Sequence, residues 1–288
     1  MLTTELIYIY HFPKGGGDMS FTEIFSGLEH YSLRDSDKQA YEDDGYFIAR
    51  NLVPLELREL LAARLDSAAR GELDQQIYRQ IEPVVKRSGR DTGDPIDYVR
   101  KVQKLAEHDR FFAEFVTNSR LLSMIHGLYG ENIRYFGDEA QLKPALVGSA
   151  HPWHQDAPYF HKDPMDVVTV WIAVDDATRE NGCIEVIPGA HKRGILPRPD
   201  PNKPWFETGE LDVSEAVHAE ISAGDALVFD VLLPHGSGPN VSKHRRRSMI
   251  CRYVNLDTVR PDQWDVVTKH GVLSNDPAAH SIFAPVRR

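Results

Sequence analysis

The sequence has very few cysteines for its length. Cys183 and Cys251 are the only two in 288 residues, and they do not form a CxxC pair. Two cysteines cannot build a disulfide framework in a chain of this size, so the sequence predicts a protein of the reducing cytoplasm. Both lie in apolar runs without an adjacent base, which favours buried, inert thiols over reactive ones.

Long apolar runs and an excess of positive charge are also missing. No stretch approaches the roughly 18 apolar residues of a membrane span, so no membrane insertion is expected. The chain carries 33 basic and 43 acidic side chains, a formal net charge of −10. Phosphate backbones require a positive field, so nucleic acid is not expected as the partner. Residues 1–18 lack the features of a signal peptide and are predicted to be a flexible tail.

The first half of the chain has mainly helical patterns. A capped helix is predicted from about residue 36, followed by a short strand at 46–49 and a helix whose leucines, such as Leu61 and Leu65, repeat at a helical period. The charged, glycine-bearing stretch 79–107 is interpreted as an exposed excursion that leads into a helix through Val102 and Leu105. A further helix is predicted over 110–129.

From about residue 132, short β-rich runs alternate with turn signals such as Asn181-Gly182 and Pro188-Gly189. Many short strands after a block of helices favour a mainly β fold, an antiparallel sandwich or barrel with a helical buttress. No internal repeat is present, and residues 19–288 are predicted to form a single domain.

The segment HPWHQDAPYFHKDP, residues 151–164, is the densest cluster of potential metal ligands. In an extended strand His154 and Asp156 project to one face while Gln155 points away. The candidate third ligand is His235, at the end of the apolar strand ALVFDVLL. Two histidines and one carboxylate are typical of the facial triad of non-haem iron(II) oxygenases. His151 could compete with His154, but it is one residue out of phase with Asp156.

Arg246, eleven residues after His235, opens an apolar strand. Alternation places Arg246 and Ser248 on one face, where a guanidinium and a hydroxyl could together bind a carboxylate. Arg245 and Arg247 would face the other way. A zinc hydrolase could also use the two histidines and the aspartate, but it would need a general base and a water nearby.

Three segments of the sequence resemble the phytanoyl-CoA dioxygenase family of 2-oxoglutarate oxygenases. They are HPWHQDAPYF, VWIAVDDATRENGCIEVIPGAHKRG and GDALVFDVLLPHGSGPNVSKHRRRSMICRYVN. The resemblance is strong across residues 130–255 and weak in the helical first third. It implies a double-stranded β-helix, or jelly roll, at about 131–256, preceded by a helical part at about 36–130 and followed by an extension at 257–288.

The resemblance also implies roles for single residues. His154, Asp156 and His235 match the iron ligands, and Arg246 matches the residue that binds the distal carboxylate of 2-oxoglutarate. Further positions match surroundings of the co-substrate: Ser237, Trp171 and, less specifically, Gln141 and Lys143, which could instead be ordinary barrel residues. The implied cofactors are iron(II), 2-oxoglutarate and O2.

The implied reaction hydroxylates an unactivated C–H bond of a small-molecule substrate and releases succinate and CO2. Related enzymes also desaturate, epimerise or close rings, and a jelly roll that only binds its ligand is a further alternative. Related halogenases lack the carboxylate of Asp156, whose presence favours hydroxylation.

The substrate is the least constrained part of the prediction. Stretches 79–107 and 194–215 are predicted to be lids over the barrel mouth. Four loop cations could hold an anionic group of the substrate, although scattered loop cations are commonly only solvated: Lys162, Lys192, Arg193 and Arg198.

Overall fold

The structure, a computed structural model, describes residues 21–269 with the exception of residues 90, 162 and 201. The predicted tail at 1–18 and the part of the predicted C-terminal extension beyond residue 269 therefore lie outside the described residues. So does Lys162, one of the four loop cations.

Helices dominate the first half of the described chain. Their bounds are α1 (Phe21–Ser26), α2 (Asp35–Asp44), α3 (Leu55–Arg70), α4 (Pro83–Ser88), α5 (Leu105–His108), α6 (Arg110–Val116), α7 (Ser119–Tyr129), α8 (Ala157–Phe160) and α9 (Trp264–Lys269). Short 3₁₀ turns add Pro95–Asp97, Ala190–Arg193, Leu256–Thr258 and Pro261–Gln263.

Strands run through the whole described chain. Their bounds are β1 (Tyr46–Ala49), β2 (Tyr78–Ile81), β3 (Val99–Gln103), β4 (Ile133–Lys143), β5 (His151–His154), β6 (Val167–Ala173), β7 (Ile184–Val186), β8 (Val217–Ala219), β9 (Ala226–Asp230), β10 (His235–Ser237) and β11 (Arg246–Asn255).

The strands form two antiparallel sheets that pack as a jelly roll with helices on the outer side. The larger sheet has the order β1-β9-β6-β11-β4-β3-β2, and the smaller has the order β5-β10-β7-β8. The prediction of a mainly β jelly roll with a helical buttress is therefore confirmed. Strands β1, β2 and β3 precede residue 131 and still join the larger sheet, so the helical part and the barrel share one sheet.

Strand β6 shows why the core has two layers. All seven of its residues are buried. Val168, Val170 and Ile172 pack in the cluster that includes the helices, whereas Trp171 and Ala173 pack in the cluster between the two sheets. Because successive side chains of a strand alternate faces, a continuous apolar run is expected only where both faces are covered.

Helix α3 contributes the apolar face that covers the larger sheet. Leu57, Leu61 and Leu65, four residues apart, are buried. Each such leucine contributes ~1.5–3 kcal/mol on burial. The helix ends at Gly71, which adopts the left-handed conformation (φ 77°) that glycine accommodates without steric cost.

Two predictions for the first half of the chain are wrong in detail. The stretch 79–107 is not an exposed excursion, because it contains strand β3 and most of β2, and β3 pairs with β4. Val102, predicted to be helical, lies in β3, and only Leu105 begins a helix, α5. The helix predicted over 110–129 is two helices, since Asn118 interrupts it: its Oδ1 accepts from the backbone of Leu121 and caps α7. A capping side chain satisfies a free N–H and so favours a new helix start.

Within residues 21–269, apart from the three gaps, no helix has both the length and the apolar character that crossing a membrane requires. Cys183 and Cys251 are both buried and unpaired, and burial raises the pKa of each thiol above its ordinary value. The prediction that both thiols are buried is confirmed, although the fold places Nδ1 of His218 3.9 Å from Sγ of Cys183, a neighbour that the local sequence did not show.

Candidate metal centre and its cavity

Three buried side chains converge between the two sheets: His154, Asp156 and His235. Their candidate ligand atoms all lie within 4.8 Å of one another. His154 ends β5, His235 begins β10, and the two are register partners of this antiparallel pair. Their Nε2 atoms lie 3.6 and 4.0 Å from Oδ1 of Asp156. In the part of the chain that the structure describes, this is the one group of His, Cys, Asp and Glu side chains with metal-ligand spacing.

Hydrogen bonds fix the tautomer of both imidazoles. Nδ1 of His154 lies 2.9 Å from the carbonyl of Pro152, and Nδ1 of His235 lies 2.9 Å from the carbonyl of Leu233. Because a carbonyl only accepts, each Nδ1 carries the hydrogen and each Nε2 keeps its lone pair. Burial and the neighbouring His154 lower the pKa of His235 to about 3. The ring of His235 is therefore neutral, and the Nε2 lone pair of each ring is directed towards a possible metal.

The carboxylate of Asp156 is ionised and anchored. Burial alone would raise its pKa, but Arg252 and the two histidines hold the pKa well below its ordinary value. Its Oδ2 accepts hydrogen bonds from Thr169 and from Arg252, whereas Oδ1 faces the imidazoles. The sequence did not single out Thr169 or Arg252. Arg252 lies on the same face of β11 as Arg246, so strand alternation could have pointed to it.

The convergence of His154 with Asp156 was predicted for the wrong structural reason. Strand β5 ends at His154, and Asp156 adopts helical backbone angles (φ −72°, ψ −33°) just before α8. His235 likewise does not end the strand ALVFDVLL, since β9 ends at Asp230 and His235 begins β10 in the other sheet.

Gln155 points away from His154 and Asp156, as predicted. His151 is not part of the metal group, but its ring lies 4.6 Å from that of His154 and lines the cavity.

A cavity of about 830 Å³ contains the three side chains. Its apolar walls come from both sheets and from α8. The larger sheet also contributes charged residues to the wall. The side chains that line it include Trp171, Ile184, Phe229 and Ile250 near the triad, Tyr135, Phe136, Tyr159 and Phe160 on one wall, and Lys101, Gln103, Lys104, Glu107, Asp138, Glu139, Arg252 and Lys269 among its polar groups. Cavities of this volume hold small molecules.

Three buried donors beside this cavity have no hydrogen-bond partner among the described residues: Nε1 of Trp171, Oγ of Ser237 and Nε of Arg246. All three belong to residues predicted to surround the co-substrate. A buried polar atom without a partner is costly unless a ligand satisfies it. The set therefore fits a ligand with several acceptor oxygens, such as a dicarboxylate.

Arg246 is fully buried and forms no ion pair with a described carboxylate. Its guanidinium donates to Ser248 Oγ at 2.9 Å and to the carbonyl of Gly182 at 3.2 Å, and its Cζ lies 5.0 Å from the ring centre of Trp171. Burial lowers its pKa to about 10, so it stays charged at neutral pH. A buried cation is expected to be paired, and the carboxylate of a ligand would supply the counter-charge.

Arg245 and Arg247 face the opposite side of β11, as alternation predicted. Arg245 pairs with Asp66, and Arg247 pairs with Asp66 and Asp175. These contacts join β11 to α3 and take no part in the cavity.

The two less specific co-substrate predictions lie in different places. Gln141 is buried and lines the cavity. Lys143 is also buried but does not line it, and its Nζ donates to the carbonyl of Gly238 behind Arg246. Burial and the repulsion of Arg246 lower the pKa of Lys143 to about 6.

Part of one predicted lid lies at the cavity, whereas the described residues of the other lid and the described loop cations do not. Of the stretch 79–107, four residues line the cavity, but they belong to β3 and the start of α5 rather than to a lid. No described residue of 194–215 lines it. Lys192 pairs with Asp43 at the surface, and neither Arg193 nor Arg198 lines the cavity.

A jelly roll that brings two histidines and one anchored carboxylate together is typical of non-haem iron enzymes. The fold and the site place the chain in the class of iron(II)- and 2-oxoglutarate-dependent dioxygenases. A model of the family Phytanoyl-CoA dioxygenase (PhyH) matches residues 41–248, and the chain belongs to that family.

Two relatives that are named phytanoyl-CoA dioxygenases support the family assignment, and a solved structure shares the fold. The chain is 28% identical over 242 residues to a probable phytanoyl-CoA dioxygenase of Caenorhabditis elegans, covering 79% of this chain and 77% of that protein. It is 28% identical over 249 residues to the peroxisomal phytanoyl-CoA dioxygenase of Homo sapiens, covering 80% and 71%. Among solved structures, EvdO2 of Micromonospora carbonacea, complexed with 2-oxoglutarate, has a TM-score of 0.58 at 20% identity, covering 77% and 91%.

Proposed function

We propose that this chain uses iron(II), 2-oxoglutarate and O2 to hydroxylate an unactivated C–H bond of a small molecule. The reaction would convert the substrate C–H, 2-oxoglutarate and O2 into the C–OH product, succinate and CO2. The observation that supports this proposal most directly is the proximity of two features. The group His154, Asp156 and His235 lies in the cavity, and the buried guanidinium of Arg246, which forms no ion pair with a described carboxylate, lies 5.0 Å from the ring centre of Trp171 on the cavity wall.

The residues fit the implied iron and co-substrate. His154, Asp156 and His235 would hold the metal through two neutral nitrogens and one carboxylate oxygen. Arg246 and Ser248 would bind the distal carboxylate of 2-oxoglutarate, with Ser237 and Trp171 donating from their unpartnered atoms and Gln141 lying on the cavity wall. When bound, iron and 2-oxoglutarate supply the oxidising power that activates O2. The residues of the chain would bind and orient the metal, 2-oxoglutarate and the substrate.

Burial of the site supports these roles. His154, Asp156, His235, Ser237 and Arg246 are each at most 6% exposed. The charge of Arg246 therefore acts in a medium that screens it weakly.

The carboxylate of Asp156 favours hydroxylation as the outcome. An aspartate on the metal takes the position that a halide would need, and it is firmly held here by Thr169 and Arg252. Desaturation, epimerisation and ring closure use the same ligands and are outcomes that product analysis separates.

The cavity suggests a polar small molecule as the substrate. Within residues 21–269, four basic side chains (Lys101, Lys104, Arg252, Lys269) and four acidic ones (Glu107, Asp138, Glu139, Asp156) line it. This balance does not favour a purely anionic substrate. Aromatic side chains beside these charges would cover an apolar part of the molecule.

The decisive experiment is an anaerobic titration of the purified protein with iron(II) and 2-oxoglutarate, followed by exposure to O2. We expect a weak visible absorption band that requires both additions, and succinate formation without added substrate at a slow rate. His154→Ala should abolish both. Arg246→Ala should lower the affinity for 2-oxoglutarate, so that a higher concentration is needed for both. Arg247→Ala, on the opposite face of β11, is the matched control and should retain both.

A metabolite screen that measures succinate then identifies the substrate, and the mass of the product identifies the outcome. Gain of one oxygen establishes hydroxylation, whereas loss of two hydrogens establishes desaturation or ring closure. A protein that binds zinc and ignores 2-oxoglutarate, or that binds its ligand without turnover, would contradict the proposal.

A further inference from the structure

The two oxygens of the Asp156 carboxylate have different surroundings. Oδ1 faces the imidazoles of His154 and His235. Oδ2 accepts a hydrogen bond of 2.9 Å from Thr169 Oγ1 and one of 3.3 Å from Nε of Arg252. Two donors on a single oxygen fix the rotation of the carboxylate about its Cβ–Cγ bond and reduce the capacity of that oxygen to bind a metal.

Arg252 is itself held on both sides. Its Nη2 lies 3.6 Å from Oε1 of Glu139, and its Cζ lies 5.8 Å from the ring centre of Phe160. Oε2 of Glu139 in turn accepts hydrogen bonds of 3.0 Å from Lys101 and from Gln103 on β3. The guanidinium thus lies between two carboxylates, one of which, that of Glu139, is held by side chains of the neighbouring strand β3.

A carboxylate can bind a metal through one oxygen or through both. Binding through both would occupy one more coordination position, which a bidentate co-substrate and O2 would otherwise share. Residues behind a ligand that fix its orientation commonly determine how it binds and how tightly.

We infer that Arg252 and Thr169 are positioning residues that hold Asp156 as a one-oxygen ligand of the metal, with Oδ1 directed at it and Oδ2 withheld. The inference rests on the proposed function, because it takes the triad to be the metal site. Glu139 completes the arrangement by fixing the far side of the Arg252 guanidinium.

A simpler role would be structural, since the pair Arg252–Asp156 also joins β11 to the segment after β5. The same strand offers a matched control. Arg247 lies on the opposite face of β11 and is about as buried as Arg252, and it pairs with the partly exposed Asp175 at 2.7 Å and with Asp66 at 3.3 Å. Loss of that pair should affect stability without affecting the metal.

The test uses the full chain, freed of metal and titrated anaerobically with cobalt(II), whose visible absorption reports coordination number. Three readouts are needed: the dissociation constant for cobalt, its spectrum with and without 2-oxoglutarate, and the thermal unfolding of the metal-free protein. We expect Arg252→Gln to weaken cobalt binding about 10- to 100-fold and to alter the spectrum. Arg252→Lys, which restores the charge, should recover part of the affinity.

Thr169→Val keeps the shape of the side chain, so it reports on the hydrogen bond even if Arg252→Gln fails to fold. We expect it to weaken cobalt binding about 2- to 12-fold, as for loss of one hydrogen bond, and to change the spectrum in the same direction as Arg252→Gln. Arg247→Gln should lower the unfolding temperature and leave cobalt affinity and spectrum as in the parent.

Parental affinity and spectrum in Thr169→Val, together with either the same result or loss of folding in Arg252→Gln, would overturn the inference in favour of a structural role. If the parent chain itself bound no cobalt, the proposed function would fail and the inference with it. Cobalt binding by the parent chain therefore distinguishes failure of the proposed function from failure of this inference alone.

Discussion

The side-chain amide of Gln155 donates a hydrogen bond of 2.6 Å to the backbone carbonyl of Leu232. The same nitrogen donates to the carbonyl of Gly194 at 2.9 Å, and Oε1 accepts from the backbone of Leu196 at 2.8 Å. Gln155 thus connects the segment that carries His154 to the turn before His235. It also connects that segment to the start of the stretch 194–215. The residue that points away from the metal group fixes the spacing of its two histidine-bearing segments.

Replacement of Gln155 by methionine should destabilise the protein by about 2–4 kcal/mol, because three hydrogen bonds of a buried side chain are lost, each worth ~0.5–1.5 kcal/mol. Urea unfolding of the metal-free chain measures the loss. We also expect weaker cobalt binding, since the His235 turn is no longer tied to β5. Gln39→Met, at an exposed helix position, is the control and should change stability by less than about 0.5 kcal/mol. Equal stability of Gln155→Met and the parent would contradict the role given to Gln155.

Ser237→Ala should move stability and ligand affinity in opposite directions. The hydroxyl is buried and has no partner among the described residues, so its removal should leave the free energy of unfolding unchanged or raise it by up to about 1 kcal/mol. Affinity for 2-oxoglutarate should fall about 2- to 12-fold, because the donor is used only in the complex. Calorimetry and urea unfolding give the two values.

The control is Ser242→Ala, in which a buried hydroxyl that already bonds to Asn240 and His244 is removed. It should lower stability by about 1 kcal/mol and leave 2-oxoglutarate affinity unchanged. Unchanged affinity in Ser237→Ala would show that Ser237 does not contact the co-substrate.

Arg246→Lys keeps a positive charge at this buried position but loses the planar, forked donor. We expect affinity for 2-oxoglutarate to fall about 10- to 100-fold, since charge-assisted bonds of this kind are worth ~1.5–3 kcal/mol. Cobalt affinity in the absence of 2-oxoglutarate should stay at the parental value, because the hydrogen bonds of Arg246 go to Ser248 and Gly182 and not to the triad. A parallel loss of metal binding would place Arg246 in the metal site instead.

The pair His154 and Asp156 could be predicted because its spacing is short and chemically specific, whereas His235 lies far along the chain and was inferred from its place after an apolar run. His154 and Asp156 are two residues apart, and Arg246 and Ser248 lie on one face of an apolar run, so local geometry nearly suffices. The predicted backbone was nevertheless wrong at Asp156, because this residue directly precedes α8 and does not continue strand β5.

Strand β3 and the role of Arg252 could not be predicted in the same way. Val99 and Val102 lie in a charged segment with no clear alternation, and β3 is a strand because β4, more than thirty residues later, supplies its hydrogen bonds. Arg252 has the right strand face, but its partners Asp156 and Glu139 are known only once the sheets are assembled. Long-range pairing of this kind leaves little trace in a local pattern.

Binding of 2-oxoglutarate should be accompanied by uptake of a proton at Lys143. Its pKa is lowered to about 6 by burial and by repulsion from Arg246 and Arg100, against the opposing effects of Glu82 and Cys183, so the amine is mostly neutral above that pH. A carboxylate bound at Arg246 offsets the repulsion and raises the pKa of Lys143. Because the complex holds more protons than the free chain, affinity should weaken as pH rises from 6 towards the higher pKa that Lys143 has in the complex, whereas below 6 Lys143 is already charged and binding takes up little.

Calorimetry in two buffers of different ionisation enthalpy measures this uptake directly. We expect the observed heats of 2-oxoglutarate binding to differ between buffers near pH 7, about one unit above the pKa of Lys143, and to agree near pH 5. Lys143→Met, which keeps an apolar side chain of similar length in the same buried position, should bind with equal heats in both buffers at either pH. Equal heats in the parent near pH 7, or a proton uptake that persists in Lys143→Met, would show that Lys143 does not change its charge when the co-substrate binds.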